Sequence, residues 1–107
     1  MSEKNVRELA NVIYHEARGE PLRGQVAVGH VVLNRVKDPR YPDSIHAVVW
    51  QPKQFTGIRY HSGWQRFEKL AREILQGLHE NPIGNSLSFR SFSTKKARFR
   101  IGNHWFW

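Results

Sequence analysis

The chain has 107 residues, 39% of them hydrophobic and 12% aromatic, which suits one folded domain with one core and excludes a disordered chain. Seventeen Lys and Arg against nine Asp and Glu leave a net charge of +8, so the expected partner is a polyanion: nucleic acid, or the carboxylate- and phosphate-bearing polymers of a bacterial envelope. The absence of cysteine excludes disulfides and thiolate chemistry. The longest apolar stretch, Val26 to Leu33, is broken by Gly29 and His30 and falls short of the roughly 18 to 20 residues of a membrane span.

The first five residues lack the basic-then-apolar pattern of a secretion signal, so synthesis in the cytoplasm is expected unless a signal was trimmed. A first helix is predicted from Ser2, its N-cap, to Ala17, with Val6, Leu9, Ala10, Ile13 and Ala17 in one apolar stripe. Gly19, suited to a left-handed C′ position, and Pro21 end it. A second helix, Leu22 to Val36, has its stripe at Leu22, Val26, Gly29, Leu33 and Val36, with Val28, Val31 and Val32 beside it, which marks a buried central helix. Asp43-Ser44 caps a short helix through Trp50, and residues 51–63 read as a long loop. Trp64 to His79 forms an amphipathic helix with Phe67, Leu70, Ala71, Ile74, Leu75 and Leu78 on one face. After the breakers Asn81-Pro82 and Gly84-Asn85, residues 87–93 and 98–107 suggest two strands of a hairpin with Lys95-Lys96 near its turn. The fold expected is mostly α, an α+β domain spanning residues 1–107.

Among residues able to do chemistry, Glu16 stands in the last turn of the first helix, beside apolar neighbours. A carboxyl shielded in this way holds its proton to higher pH and can protonate a glycosidic oxygen. The plainer reading is a solvated helix-end glutamate. Glu20 has two readings: a partner to Glu16, or an acceptor of backbone hydrogen bonds that holds the turn. His15-Glu16 opens an H-E-x-x-H zinc motif, but the second histidine would fall at Gly19, and the other histidines lack ligand spacing; no metal is expected. Gln54-Phe55-Thr56, with Tyr60 nearby, sets amides against aromatic rings, which suits sugars or a loop anchored in the core. Asn103-His104 in the aromatic tail poses the same choice. Asn34 and Arg35, polar on a buried helix, are expected to tie down loops.

Taken in order, the segments His15-Glu16-Ala17-Arg18-Gly19-Glu20-Pro21, Gly24-Gln25-Val26-Ala27-Val28 and Val32-Leu33-Asn34-Arg35-Val36 resemble the SleB-like cell wall hydrolases, the catalytic domains of spore cortex-lytic enzymes and their phage and bacterial relatives. The resemblance continues at Tyr41-Pro42, Val48 to Gln51, Gln54-Phe55-Thr56 and Ile101-Gly102-Asn103-His104. It implies a lysozyme-like, mostly helical domain that cuts the glycan strands of peptidoglycan, with Glu16 as catalytic acid and no metal or organic cofactor. The implied reaction is that of a lytic transglycosylase, with a muramidase-type hydrolase as the alternative. Glu20, Gln54, Phe55, Thr56, Tyr60, Asn103 and His104 form the expected substrate-binding set. A monomer without nucleic acid or membrane span is expected, either a phage or prophage lysis enzyme released to the wall by a membrane-permeabilising partner or an excised catalytic domain. His15 and His30 stand where the family usually has small residues, and Thr56 where serine is common. Two rival readings are a nucleic-acid-binding module using Arg90, Lys95, Lys96, Arg98 and Arg100 with Phe92 and Phe99, and a wall-binding domain that does not cut.

Overall fold

The computed structural model describes residues 2–107. Helix α1 spans Glu3–Ala17, α2 Leu22–Lys37 and α3 Ile45–Val49; a 3₁₀ turn, Ser62–Phe67, leads into α4, Glu68–Leu75. Three short strands follow: β1 Phe89–Arg90, β2 Phe99–Ile101 and β3 His104–Phe106. The mostly helical expectation holds, and the small sheet closes one end.

The Ser2 hydroxyl accepts from the Asn5 N–H at 3.0 Å and starts α1 as an N-cap should. Ser44 does the same for α3 through the Ala47 N–H at 3.1 Å. The end of α1 differs from expectation. Gly19 is not left-handed; Arg18 keeps helical dihedrals, and the Glu20 N–H returns to the Ala17 carbonyl at 3.0 Å. Pro21, extended at φ −63° and ψ 161°, stops the ladder.

Helix α2 is central, with Val26, Ala27, Val28, Val31 and Val32 buried on most of its circumference. Its first turn is an exception: Leu22, placed on the stripe by periodicity, is 58% exposed, and burial along the helix begins only at Gly24. Gly29 lets α4 approach, since a Cβ there would lie 3.0 Å from the Ile74 Cδ1. α1, α2, α3 and α4 share one core containing Leu9, Ile13, Val48 and Ile74. A second cluster, with Ala17, Val28, Val31, Ile83 and Phe106, fastens the sheet to α2, and Phe89 packs against both. Fully burying Leu9 or Ile13 contributes about 1.5–3 kcal/mol each.

Two C-terminal expectations change. The fourth helix stops at Leu75, where Gly77 turns left-handed at φ 77°; Leu78 is then carried out of the apolar face and is 67% exposed. The strand order is β1-β3-β2, so the hairpin is β2–β3, turning at Gly102-Asn103 rather than near Lys95-Lys96. β1 pairs with β3, antiparallel, at Phe89↔Phe106 and Arg90↔Trp105. Only Gly102, at φ 58°, supplies the left-handed residue that so tight a turn needs.

A polar stripe on α1 organises the long loop. Glu8, Asn11 and His15 recur at helical spacing and face residues 46–61. Glu8 is fully buried, and its carboxylate accepts from His46 Nδ1 at 2.8 Å, Trp50 Nε1 at 2.8 Å and the Tyr60 hydroxyl at 2.6 Å. Asn11 donates to the Arg59 carbonyl and accepts from the His61 N–H, both at 2.9 Å. His15 Nε2–H donates to the Thr56 carbonyl at 2.9 Å, which leaves His15 Nδ1 to accept from His61 Nε2–H at 2.9 Å. The loop thus has a defined path without regular structure of its own.

Candidate active site

Glu16 follows directly on this stripe, one residue past His15. Its side chain lines a cleft of about 270 Å³ together with Gln54 and Thr56 of the pinned loop. Phe89 and Arg90 of β1, Ser91 and Phe92 just after it, Arg35 of α2 and His104 of β3 complete the lining. Glu16 is partly buried, and its carboxyl has no hydrogen-bond partner among the described residues. Burial pushes its pKa above the ordinary carboxyl value, and the fields of His15 and Arg35 only partly offset the rise. Among the described residues it is the sole carboxyl lining the cleft.

Arg35 does more than tie down a loop. Its Nε donates to the Leu87 carbonyl at 2.7 Å, and its guanidinium lies over the rings of Tyr41 and Phe55, each at 5.2 Å. The side chain is 5% exposed, and Nη1 is buried without a partner. His104 Nδ1 is likewise buried and unpaired, and burial holds that imidazole below its usual pKa. Arg35 and His104 both line the cleft that holds Glu16, and each carries one buried nitrogen without a protein partner. Sequence reasoning gave Arg35 only its loop-tying role; a cation on a buried helix, next to the Asn34 that does tie down Gly84 and Ser86, was the available signal.

The remaining expected site residues divide. Gln54, Thr56 and His104 line the cleft. Phe55 is 3% exposed in the core beneath the Arg35 guanidinium, so its ring supports the cleft from below. The Tyr60 hydroxyl is committed to Glu8. Glu20 and Asn103 are brought to each other: the Glu20 carboxylate accepts from the Asn103 backbone N–H at 2.8 Å and from its side-chain amide at 3.1 Å. Burial would raise the Glu20 pKa, but these two bonds outweigh it and hold the carboxyl below its usual value. This clasp joins the α1–α2 turn to the β2–β3 turn, with backbone acceptance at Glu20 as expected but from a distant partner.

Fold and site together define a small lysozyme-like helical domain built around one acid in an open cleft. The chain belongs to the cell wall hydrolase family, whose profile it matches over residues 19–107. It is 38% identical over 90 residues to a spore cortex-lytic enzyme of Oceanobacillus iheyensis, covering 82% of this chain and 33% of that protein. It is 31% identical over 117 residues to a spore cortex-lytic enzyme of Bacillus cereus, covering 98% of this chain and 44% of that one. The chain thus spans less than half the length of these curated relatives. In three dimensions it is similar to the catalytic domain of the germination-specific lytic transglycosylase SleB from Bacillus anthracis, with a TM-score of 0.77 at 29% identity over 99% of this chain and 95% of that one. The catalytic domain of the Bacillus cereus SleB protein gives 0.78 at 30% identity over 98% and 90%.

Proposed function

We propose that this chain is a peptidoglycan lytic transglycosylase, a single catalytic domain over residues 1–107 in which Glu16 serves first as acid and then as base. The observation that carries this reading is the partly buried, unpartnered Glu16 carboxyl in a cleft with no second carboxylate among the described residues. A two-carboxylate glycosidase needs a second acid to form a covalent intermediate or to activate water. A transglycosylase needs one. Glu16 gives its proton to the glycosidic oxygen as the C1–O bond breaks. The resulting carboxylate then accepts the proton of the muramic acid 6-hydroxyl as that oxygen bonds to C1. Glu16 ends protonated, no water is consumed, and the product carries a 1,6-anhydro end. Arg35 supports the transient carboxylate by charge. Gln54, Thr56 and His104 contact the sugar, while Phe55, Tyr60, Glu20 and Asn103 hold the cleft walls in place.

Membership of the cell wall hydrolase family and likeness to spore cortex-lytic enzymes, together with the +8 charge, support action at the wall. The chain then acts as a monomer after synthesis in the cytoplasm and release by a membrane-permeabilising partner. The test is mass spectrometry of soluble products from purified sacculi, beside Glu16→Gln. Muropeptides lighter than hydrolytic products by one water are expected, with a loss of about a thousandfold or more in Glu16→Gln at unchanged fold. Products that retain the water make the enzyme a hydrolase. Retained activity in Glu16→Gln removes Glu16 from the mechanism.

A further inference from the structure

From Asn81 to Trp107 the chain carries Arg90, Lys95, Lys96, Arg98 and Arg100 and no Asp or Glu. The sheet register sorts them. Phe89, Phe106, Ile101 and His104 point inward, with Phe106 fully buried. Arg90, Trp105 and Arg100 stand opposite one another across the three strands, on the outer face. One step further along, Trp107 exchanges backbone hydrogen bonds with Ser88 at 3.0 Å, and Arg98, just before β2, lines the same cavity as Trp107. The guanidinium of Arg100 lies 4.6 Å from the Trp105 ring centre, and that of Arg90 lies 5.6 Å from Trp107. No carboxylate pairs with Arg90, Arg98 or Arg100 among the described residues. Two half-exposed indoles are thus held between unneutralised arginines.

This face is continuous with the catalytic cleft at one end, because Arg90 also lines the cleft of Glu16. At the other end it runs into a cavity of about 580 Å³ bordered by Trp107, Arg98, Lys96 and Tyr41. Arg40 also borders that cavity, but Asp38 at 2.8 Å already neutralises it.

We propose that the outer face of the C-terminal sheet is a second substrate-binding surface, which holds the uncut continuation of the glycan strand through its peptide-stem carboxylates. The inference rests on the transglycosylase reading, and continuity with the cleft chooses the occupant: a strand leaving Glu16 past Arg90 meets this face next. Indole faces stack on pyranose rings, and planar guanidinium groups grip carboxylates in bidentate fashion. The repeat of arginine beside tryptophan matches a polymer that presents both chemistries in turn. The tail's basic, aromatic character, which also suits nucleic acid, is thereby assigned to the wall.

The experiment measures co-sedimentation with sacculi stripped of phosphodiester-linked polymers by hydrofluoric acid, in the Glu16→Gln background so that nothing is cut. Arg98→Ser/Arg100→Ser is compared with Lys4→Ser/Lys69→Ser, which removes the same charge from exposed positions on α1 and α4. The first pair is expected to weaken binding about tenfold, the second less than about twofold. Carbodiimide amidation of the sacculus carboxylates should erase the difference. With Glu16 intact, Arg98→Ser/Arg100→Ser should cut a short soluble muropeptide at the parent rate. Equal losses in the two pairs would leave only net charge and overturn the proposal. So would a difference that survives amidation, binding lost on stripping, or a loss confined to single-stranded DNA. If the parent cuts no glycan while the sacculus difference holds, the catalytic reading fails and the surface assignment stands.

Discussion

Glu8 and Glu16 lie about two turns apart on α1, and their surroundings shift them in opposite directions. Burial alone would raise both. At Glu8 the hydrogen bonds from Tyr60, His46 and Trp50 outweigh it and hold the carboxyl below its usual value. At Glu16 no donor arrives, and burial wins. The number of donors, more than the depth, decides which glutamate is a structural anion and which is an available acid. Glu8→Ala should therefore cost about 3 kcal/mol in urea unfolding, because it empties a filled site and strands the Trp50 N–H. The variant should also lose activity at temperatures where it remains folded, since Glu8 helps pin the loop that carries Gln54 and Thr56. A cost under about 1 kcal/mol would mean that water replaces the carboxylate.

At the scale of elements, α1 and α2 were legible because each buries an apolar stripe that sequence periodicity displays, and Ser2 and Ser44 announce the caps of α1 and α3. The partnership of Glu8, Asn11 and His15 was not legible. A polar stripe at helical spacing ordinarily means solvent, and its partners lie on a loop with no period. Strand order was hidden for a related reason: β1 skips β2 to pair with β3, and local turn chemistry gives no hint of such a pairing. The acid was legible only through its motif, while Arg35's exposure to the cleft depends on how α2 meets the sheet. The turn at Gly102 joins these levels. At φ 58° any other residue is strained, and a Cβ would press on the Glu20 carboxylate and on Pro21 Cδ at 2.9 Å. Gly102→Ala should destabilise by about 2–3 kcal/mol. Removing the carboxylate by Glu20→Ala should relieve part of that cost, giving a measurable coupling in a double-mutant cycle of urea unfolding. Strict additivity would show that backbone strain alone carries the penalty.

Over the whole molecule, acidity should act mainly through histidines. His30 is buried within α2 and donates Nδ1–H to the Val26 carbonyl at 2.9 Å. His61 faces His15 across a bond that needs a proton on one ring and a lone pair on the other, with Arg59 and Arg18 nearby. His104 borders the cleft. Burial is the leading cause that holds all three below the ordinary imidazole value of 6.5, and at His61 the charges of His15, Arg59 and Arg18 add to it. Between that value and their folded values, the unfolded chain binds more protons than the folded one. Stability is then full above pH 6.5 and falls as pH drops through this window. Glu16 works the other way: with its folded pKa raised, it adds stability on acidification as far as the unfolded carboxyl value of 4.5. Glu16→Gln removes that opposing contribution. Melting temperature measured from pH 7.5 to 5 should therefore fall in both proteins, and more steeply in Glu16→Gln. A flat profile in Glu16→Gln would mean that the histidines titrate alike folded and unfolded. Parallel profiles would mean that Glu16 is too well solvated to hold its proton, and the acid would lose its physical basis along with the stability difference.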